Sequence, residues 1–341
     1  ASYEQAVITA TQKAMPAVVS VHISGTQLVV RRFRDPFFDM LYGGRIGRKS
    51  IREMGSGVII DPKGIIITND HVIYAGKNAE VQITVVLTDG RTFPAKIIKQ
   101  FHTQDIAILS IEGSNLPYIE IGPSSEVTPG QTVLAIGNPF GDALTGGLIG
   151  GEPTVTRGII SATRRNLTIT QYGITRYYRN MLQTDASINE GNSGGALIDL
   201  EGKLVGINTA IFSPNSTGSI GIGFAAPSDR VKLILDSVNK YGDIGQPYTG
   251  ISVQDVTRSF ARSLDYEGSG GAIIDEIHRN SPGEKGGFKR GDIITKVNGF
   301  TVTSTEEVRS MFWGSVPGEQ FTLTVYRDGK ITELKLVLGS E

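Results

Sequence analysis

The sequence contains no cysteine, which excludes a disulfide framework, thiol catalysis and any cysteine-ligated metal site. Histidine is scarce: His22, His71, His102 and His278 are too few for a His-rich metal cluster, and neither a metal nor another cofactor is expected. No apolar run approaches the roughly 18–20 residues needed to span a bilayer. Neither charge sign is in excess, since 33 basic residues stand against 34 acidic ones for a net charge of −1. A broad electrostatic footprint for nucleic acid is therefore not expected. A Gly-rich phosphate loop of the Walker type is missing too, so an energy-coupled unfoldase is not encoded here. The chain opens at Ala1 with no initiator Met, no basic stretch and no apolar leader, the expectation for a processed chain.

Glycine, in contrast, is abundant at 43 of 341 residues, and it punctuates short β-branched runs. These runs are Ala17–Ile23, Gly57–Ile60, Ile65–Thr68, Val81–Leu87, Ile106–Ile111, Thr132–Ile136, Thr154–Ile160, Gly195–Ile198 and Lys203–Asn208. Short strands with frequent turns and no helix-length spacers predict a mainly β sandwich or barrel and disfavour a doubly wound sheet. The first helical pattern is Ser228–Tyr241, where Val231, Ile234, Leu235 and Val238 recur at helical spacing. Gly242–Pro247 then reads as a linker. The remaining 248–341 carry strands at Gly271–Ile277, Asp292–Val297, Phe321–Tyr326 and Glu333–Leu338 and a helix near Thr305–Phe312, an α+β domain. Residues 14–241 form the first domain, and 1–56 supply its N-terminal segment, first strand and a long loop rich in bases and aromatics.

The chemistry concentrates at Gly191-Asn192-Ser193-Gly194-Gly195, just before a strand. Glycines around a serine let backbone N–H groups turn inward as an oxyanion hole with no Cβ in the way. A serine hydroxyl needs a base within reach to attack at neutral pH. His71 follows a strand in Thr68-Asn69-Asp70-His71-Val72-Ile73, and Asp105 opens another apolar strand. The order His71, Asp105, Ser193, with gaps of 34 and 88 residues, is that of the chymotrypsin-type arrangement and not of the subtilisin or α/β-hydrolase types. The other histidines compete poorly: His22 alternates in a strand, His102 reads as a surface residue before one, and His278 falls in the second domain.

Thr68–Ile73, Asp105–Leu109, Gly137–Gly141, Thr184–Asn189, Gly191–Leu197 and Gly206–Ala210, with Gly221–Ala225 leading into the helix, resemble the HtrA (Deg) family of serine proteases. The likeness runs from about Ala14 to the C-terminus. It implies a chymotrypsin-like double six-stranded β-barrel followed by a PDZ domain. It also implies that His71 is the general base, Asp105 its orienting carboxylate and Ser193 the nucleophile, with the N–H groups of Gly191 and Ser193 as oxyanion hole. Ile188 and the edge Asn208, Thr209, Ala210 and Ile211 would line the specificity pocket. That lining favours small or medium apolar side chains, because Lys or Arg selection needs a buried carboxylate and the nearest candidate, Asp185, is placed outside the pocket by the resemblance.

In the second domain, Tyr248-Thr249-Gly250-Ile251, Ser252-Val253-Gln254, Asn280-Ser281-Pro282 and Gly291–Gly299 are similar to a PDZ domain. Such a domain offers the Tyr248–Ile251 loop to a peptide's C-terminal carboxylate and adds the peptide, alongside Val253, as a further strand at the sheet edge. The resemblance further implies unfolded-protein substrates, C-terminal peptide ligands, a homotrimer or multiple of trimers built through aromatics such as Phe33, Phe37, Phe38 and Tyr42, and a location in the periplasm or cell envelope.

The chain departs from the family pattern at Glu190, beside the expected oxyanion hole, and at the Gly-rich Asp142–Glu152, a longer connection expected to dock on a neighbouring subunit or on loops Arg164–Tyr178 and Phe212–Ser219. Two rival readings use the same residues: a non-catalytic chaperone or PDZ-based sensor on a protease scaffold, and an esterase. Covalent labelling of Ser193 discriminates the first, and comparison of casein with simple esters the second.

Overall fold

The computed structural model describes residues 2–31, 45–74, 79–138, 152–171, 173–189, 191–209, 219–268 and 270–340. They divide into two compact units, Ala1–Asp229 and Arg230–Glu341. In the first unit, the β-branched runs close into two antiparallel barrels of six strands. The first barrel contains β1 (Val18–Arg31), β2 (Arg45–Asp61), β3 (Ile65–Thr68), β4 (Ala79–Val86), β5 (Thr92–Phe101) and β6 (Ile106–Ile111), in the order β1-β2-β3-β6-β5-β4. By register, Val19, Val21, Ile59, Ile66, Val85 and Leu109 share one face of its wall, and all are fully buried. Closure leaves no open sheet edge, so each backbone N–H and C=O along the strands can find a partner.

The second barrel repeats the plan with β7 (Thr132–Gly137), β8 (Thr154–Gln171), β9 (Ile174–Thr184), β10 (Ala196–Ile198), β11 (Leu204–Thr209) and β12 (Gly223–Pro227), ordered β10-β11-β12-β9-β8-β7. Val133, Ala135, Ile160, Leu182, Leu197, Val205 and Ala225 make its core. The mainly β, two-barrel fold class expected from the sequence is thus found. One difference bears on function. The stretch Arg164–Tyr178, expected to be a loop, is the far part of a long hairpin in which β8 pairs with β9 as far as Gln171 opposite Ile174. Arg164, Arg165, Arg176 and Arg179 interrupt the apolar pattern there, which conceals a strand from any reading based on hydrophobic alternation. The helix Tyr3–Ala14, capped by Ser2 through its hydroxyl, and strand β5 are likewise absent from the sequence reading.

The second unit is a sheet of β14 (Ile251–Asp255), β15 (Ala272–Ile277), β16 (Ile293–Val297), β18 (Gln320–Arg327) and β19 (Lys330–Val337), with β17 (Phe300–Thr301) paired to β16. β13 (Pro247–Tyr248) pairs with β20 (Gly339–Ser340) and so anchors the start of the Tyr248–Ile251 loop. The core contains Ala272, Ile274, Phe288, Ile294, Phe321, Val325 and Leu336. Helix Thr305–Phe312 is capped by Ser304, and the N–H of its first residue, Thr305, donates to Asp255 Oδ1 at 2.7 Å, tying it to the end of β14. The buried Asp292 of the Gly-Asp turn is a structural acid, holding Arg327 through two bonds of 2.6 and 2.7 Å. The division between units falls at Asp229/Arg230, whereas the linker read from the sequence lies at 242–247. Arg230, early in the helix Ser228–Tyr241, pairs with Glu319 of the second unit at 3.3 Å.

Candidate active site

β3 ends at Thr68 and is followed by a single helical turn, Asp70–Ile73, that carries His71. Asn69, just before this turn, has its Nδ2 donating to the Asp105 carbonyl at 2.9 Å and to Thr209 Oγ1 at 3.2 Å. One buried amide therefore ties the His71 turn, the Asp105 turn and the end of β11 together. Asp105 lies between β5 and β6 with φ +55, a left-handed conformation that costs most L-residues about 1–2 kcal/mol but that a short polar side chain tolerates. This strained backbone aims the carboxylate at His71. The His71 backbone N–H donates to Oδ1 at 2.9 Å, and His71 Nδ1 stands 2.8 Å from Oδ2 and 3.0 Å from Oδ1. With Nδ1–H donating to an ionised carboxylate, Nε2 is left as the acceptor, which is the tautomer a general base needs.

Ser193 sits in the turn that opens β10. Gly194 has φ +84, and a Cβ there would lie 2.1 Å from the Ser56 carbonyl oxygen, so both conformation and space require glycine. The turn is clamped on two sides. Ser56 N–H of β2 donates to the Ser193 carbonyl at 2.9 Å, and Gly194 N–H donates to the Asn208 carbonyl at 2.9 Å. The Ser56 hydroxyl donates to the Gly191 carbonyl at 2.6 Å and accepts the Asn138 N–H at 2.7 Å. Thr68, three residues before His71, donates its hydroxyl to the Ser56 carbonyl at 2.7 Å. Ser56 is thus the shared anchor of the serine turn and of the strand end that carries the histidine, and it is absent from the sequence reading. Gly191, with φ +91, adopts the backbone a glycine turn requires.

The pocket residues separate into two kinds. Ile188 is buried against Gly223 of β12, where a Cβ would come within 2.9 Å of Ile188 Cδ1. Asn208 turns its amide into the barrel wall, donating to Ala196 O at 2.9 Å and Ile136 O at 3.3 Å, and its main chain pairs with the serine turn. Thr209 is buried and takes part in the Asn69 contact. Asp185 accepts the Ile159 N–H at 2.7 Å on the β8 side. Ala210 and Ile211 lie outside the described residues, as do Glu190, the aromatics Phe33, Phe37, Phe38 and Tyr42, and nearly all of the Asp142–Glu152 and Phe212–Ser219 connections.

Behind the carboxylate stands a layer that the sequence reading missed. The β8–β9 hairpin reaches the Asp105 turn, with Tyr177 N–H donating to the Thr103 carbonyl at 2.8 Å. Tyr178 donates its hydroxyl to Asp105 Oδ2 at 3.0 Å. Burial, then the charge of Asp105 and the hydrogen bond to it, push the Tyr178 phenol far up, so it stays a protonated donor. Arg176, two residues earlier on the same strand face, donates through Nη2 to Asp70 Oδ2 at 3.1 Å and places Nε 3.3 Å from Asp105 Oδ1. His102, expected to be a bare surface histidine, has Nδ1 2.8 Å from Asp70 Oδ1. The available signal was an Arg and a Tyr spaced by two in a segment bounded by turn residues, which places both on one strand face.

At His71, burial alone would push the imidazole down. The charge and hydrogen bond of Asp105 outweigh it, and the net direction is up from the ordinary 6.5.

In the second unit, among the described residues, β14 pairs with β15 alone and forms one edge of the main sheet. Gly250, with φ +65, and Thr249 turn the chain into that edge, and their carbonyls accept the N–H groups of His278 and Gly283 at 2.9 and 2.8 Å. The Thr249 hydroxyl takes the Ile251 N–H at 3.2 Å. The Tyr248 hydroxyl meets His278 Nδ1 at 2.7 Å.

Comparison with known proteins agrees with both halves. The family model for the trypsin-like peptidase domain matches residues 55–207, and that for the PDZ domain matches 247–338. The chain is 37% identical over 346 residues to the probable periplasmic serine protease do/HhoA-like of Haemophilus influenzae, covering 97% of this chain and 70% of that protein. It is 38% identical over 356 residues to the periplasmic serine endoprotease DegP of Escherichia coli, covering 96% of this chain and 71% of that one. Among solved structures, the HtrA-type protease AlgW with decapeptide superposes at a TM-score of 0.59 with 34% identity, over 98% of either chain.

Proposed function

The chain belongs to the HtrA (Deg) family of serine proteases, and on that premise we propose that this serine endopeptidase cleaves unfolded or misfolded proteins without ATP, using His71, Asp105 and Ser193. The observation that carries the assignment is the pairing of His71 Nδ1 with Asp105 Oδ2 at 2.8 Å, beside a serine turn and a histidine strand anchored on the same residue, Ser56. In the reaction, Ser193 Oγ attacks the scissile carbonyl as His71 Nε2 takes its proton. His71 then returns that proton to the leaving amine, and water repeats the cycle on the acyl-enzyme. The N–H groups of Gly191 and Ser193 are proposed to hold the oxyanion. The apolar wall of Ile188 favours cleavage after small or medium apolar residues, with Thr209, Ala210 and Ile211 pairing with the substrate strand and Asn208 bracing the wall. Engagement of Asp185 by the β8 backbone supports this choice over basic residues.

A fluorophosphonate probe tests the assignment: covalent modification at Ser193 of the folded chain, together with casein cleavage, is expected. Folded chain that takes up no probe would instead favour the chaperone scaffold.

The pH dependence has a defined sign. The base must be neutral to act, and its pKa is raised, so kcat/KM falls with acidification through a point above 6.5. A kcat/KM profile of an unfolded substrate whose acidic limb lay below 6.5 would contradict this electrostatic balance.

The protease domain is proposed to span 14–241, and residues 248–341 to bind peptide C-termini by β-addition at β14, with the carboxylate at Tyr248, Thr249, Gly250 and Ile251. Calorimetry should give binding for a peptide ending in a free carboxylate and at least tenfold weaker binding for its C-terminal amide, since charge-assisted bonds to the carboxylate are lost. Equal affinity would rule out carboxylate capture. A periplasmic location and a trimer are proposed from the same family, and no helix among the described residues is long and apolar enough to cross a membrane.

A further inference from the structure

We infer that Arg176 and Asp70 form a charge-compensated pair of positioning residues, in which Arg176 holds the Asp105 carboxylate from behind and Asp70 offsets the guanidinium so that His71 can still become an imidazolium. The inference rests on the catalytic reading above. Three charged side chains are packed here almost entirely out of water: Asp70 is 0% exposed, Asp105 1% and Arg176 4%. Arg176 bridges the carboxylates, with Nη2 bonded to Asp70 Oδ2 at 3.1 Å and Nε 3.3 Å from Asp105 Oδ1, the latter a charge contact outside hydrogen-bond alignment. The other Asp70 oxygen accepts Gln100 Nε2 at 3.2 Å and faces His102 Nδ1 at 2.8 Å. Buried ion pairs of this depth are seldom worth more to stability than apolar residues of the same volume. Stability alone therefore gives little reason to assemble this one against the triad.

The charge balance gives a reason. With His71 neutral, Asp70, Asp105 and Arg176 together carry one net negative charge; when His71 takes the Ser193 proton, the four groups become neutral. A buried cluster that loses its net charge as the imidazolium forms stabilises the transition state over the ground state. With Arg176 alone behind Asp105, the same step would leave net positive charge in a site shielded from water. The groups that face His71 are Asp105 from the β5–β6 turn, Arg176 and Tyr178 from β9, and Asp70 beside it on its own turn, with His102 behind Asp70. Arg176 pushes the imidazole down and Asp70 pushes it up, opposite influences from two groups in direct contact.

The test uses the full chain as wild type, Asp70→Asn, Arg176→Gln and the double variant. The rate of fluorophosphonate inactivation is followed across the acidic limb, with thermal melting as the folding control. Asp70→Asn should move the limb to lower pH and lower the plateau rate several-fold. Arg176→Gln should move the limb to higher pH. The double variant should fall between the two, near wild type, because both compensating charges are gone together. A purely structural pair would lower the melting point and leave the limb in place; that outcome, or shifts of the two single variants in the same direction, overturns the inference. If Arg176→Gln does not fold, the direction for Asp70→Asn decides alone. Wild type that takes up no probe at Ser193 defeats the catalytic reading, and the inference with it, before any variant is compared.

Discussion

Replacing Ser193 by Ala should lower the rate of casein cleavage by about 10⁴-fold or more, on the order of 5 kcal/mol of transition-state stabilisation, and should abolish fluorophosphonate labelling. The hydroxyl is the only atom lost. The Ser193 backbone keeps its bond from Ser56 N–H, and Gly194 keeps its bond to Asn208 O, so the turn retains its shape. Ser193 is 4% exposed, and alanine fits within the same volume, so the melting temperature should hardly change. Activity loss without stability loss marks a residue that acts in the chemistry, and loss of the covalent label assigns it the nucleophile's part. A variant that still cleaved casein at wild-type rate would remove the case for acyl-enzyme chemistry at this position.

Asp105→Asn should be nearly as damaging, lowering kcat by about 10⁴-fold, although the side chain is almost isosteric. The carboxylate accepts from the His71 N–H, His71 Nδ1 and the Tyr178 hydroxyl, and it faces the Arg176 charge. An amide offers one acceptor and one donor. If its NH₂ faces Nδ1, His71 is forced into the tautomer with Nε2 protonated, which cannot take the Ser193 proton. If it faces Tyr178 instead, the tautomer survives but the charge that stabilises the imidazolium is gone. Asn also tolerates the left-handed backbone at this position, so folding should persist. Single-turnover acylation kinetics would check this, the expected result being a slowed acylation step with substrate binding little changed. Retention of full kcat would mean that His71 is oriented by something other than Asp105.

The two variants together separate roles that the fold builds from different places. His71 stands on a turn after β3, Asp105 on the turn after β5 and Ser193 ahead of β10. Each was legible in the sequence because each is a polar residue standing at the end of an apolar run, in the order of a known catalytic arrangement. The glycines flanking Ser193 were legible for a related reason, since the positive φ at Gly191 and Gly194 is a backbone demand that few other residues meet. The strand Ile251–Asp255 of the second unit was not marked by its own periodicity; only the likeness to a PDZ domain pointed to a sheet edge beginning at Ile251.

The supporting layer was not legible, and the reason is geometric. Ser56 is an unremarked hydroxyl in a strand until the serine turn is folded onto it. Arg176 and Tyr178 look like solvent-facing residues of a loop, because in sequence nothing marks which strand face is covered. Only the pairing of β8 with β9 carries that face to the Asp105 turn. His102 lies close to Asp105 in the chain but reaches Asp70 instead. Asn208, expected in the pocket wall, spends its amide on the carbonyls of Ala196 and Ile136.

By itself the sequence determined the strand-rich class, the helix Ser228–Tyr241, the order of the triad and the two-part organisation, since these follow from local periodicity, turn chemistry and residue type. Tertiary structure alone decided which charges are buried together, which backbone groups clamp the serine turn and which strand edge stays open. Those depend on contacts between residues distant in the chain, some more than a hundred positions apart, such as Asp70 with Arg176 and Ser56 with Ser193, and dielectric screening is set by what covers a group rather than by its neighbours in the chain.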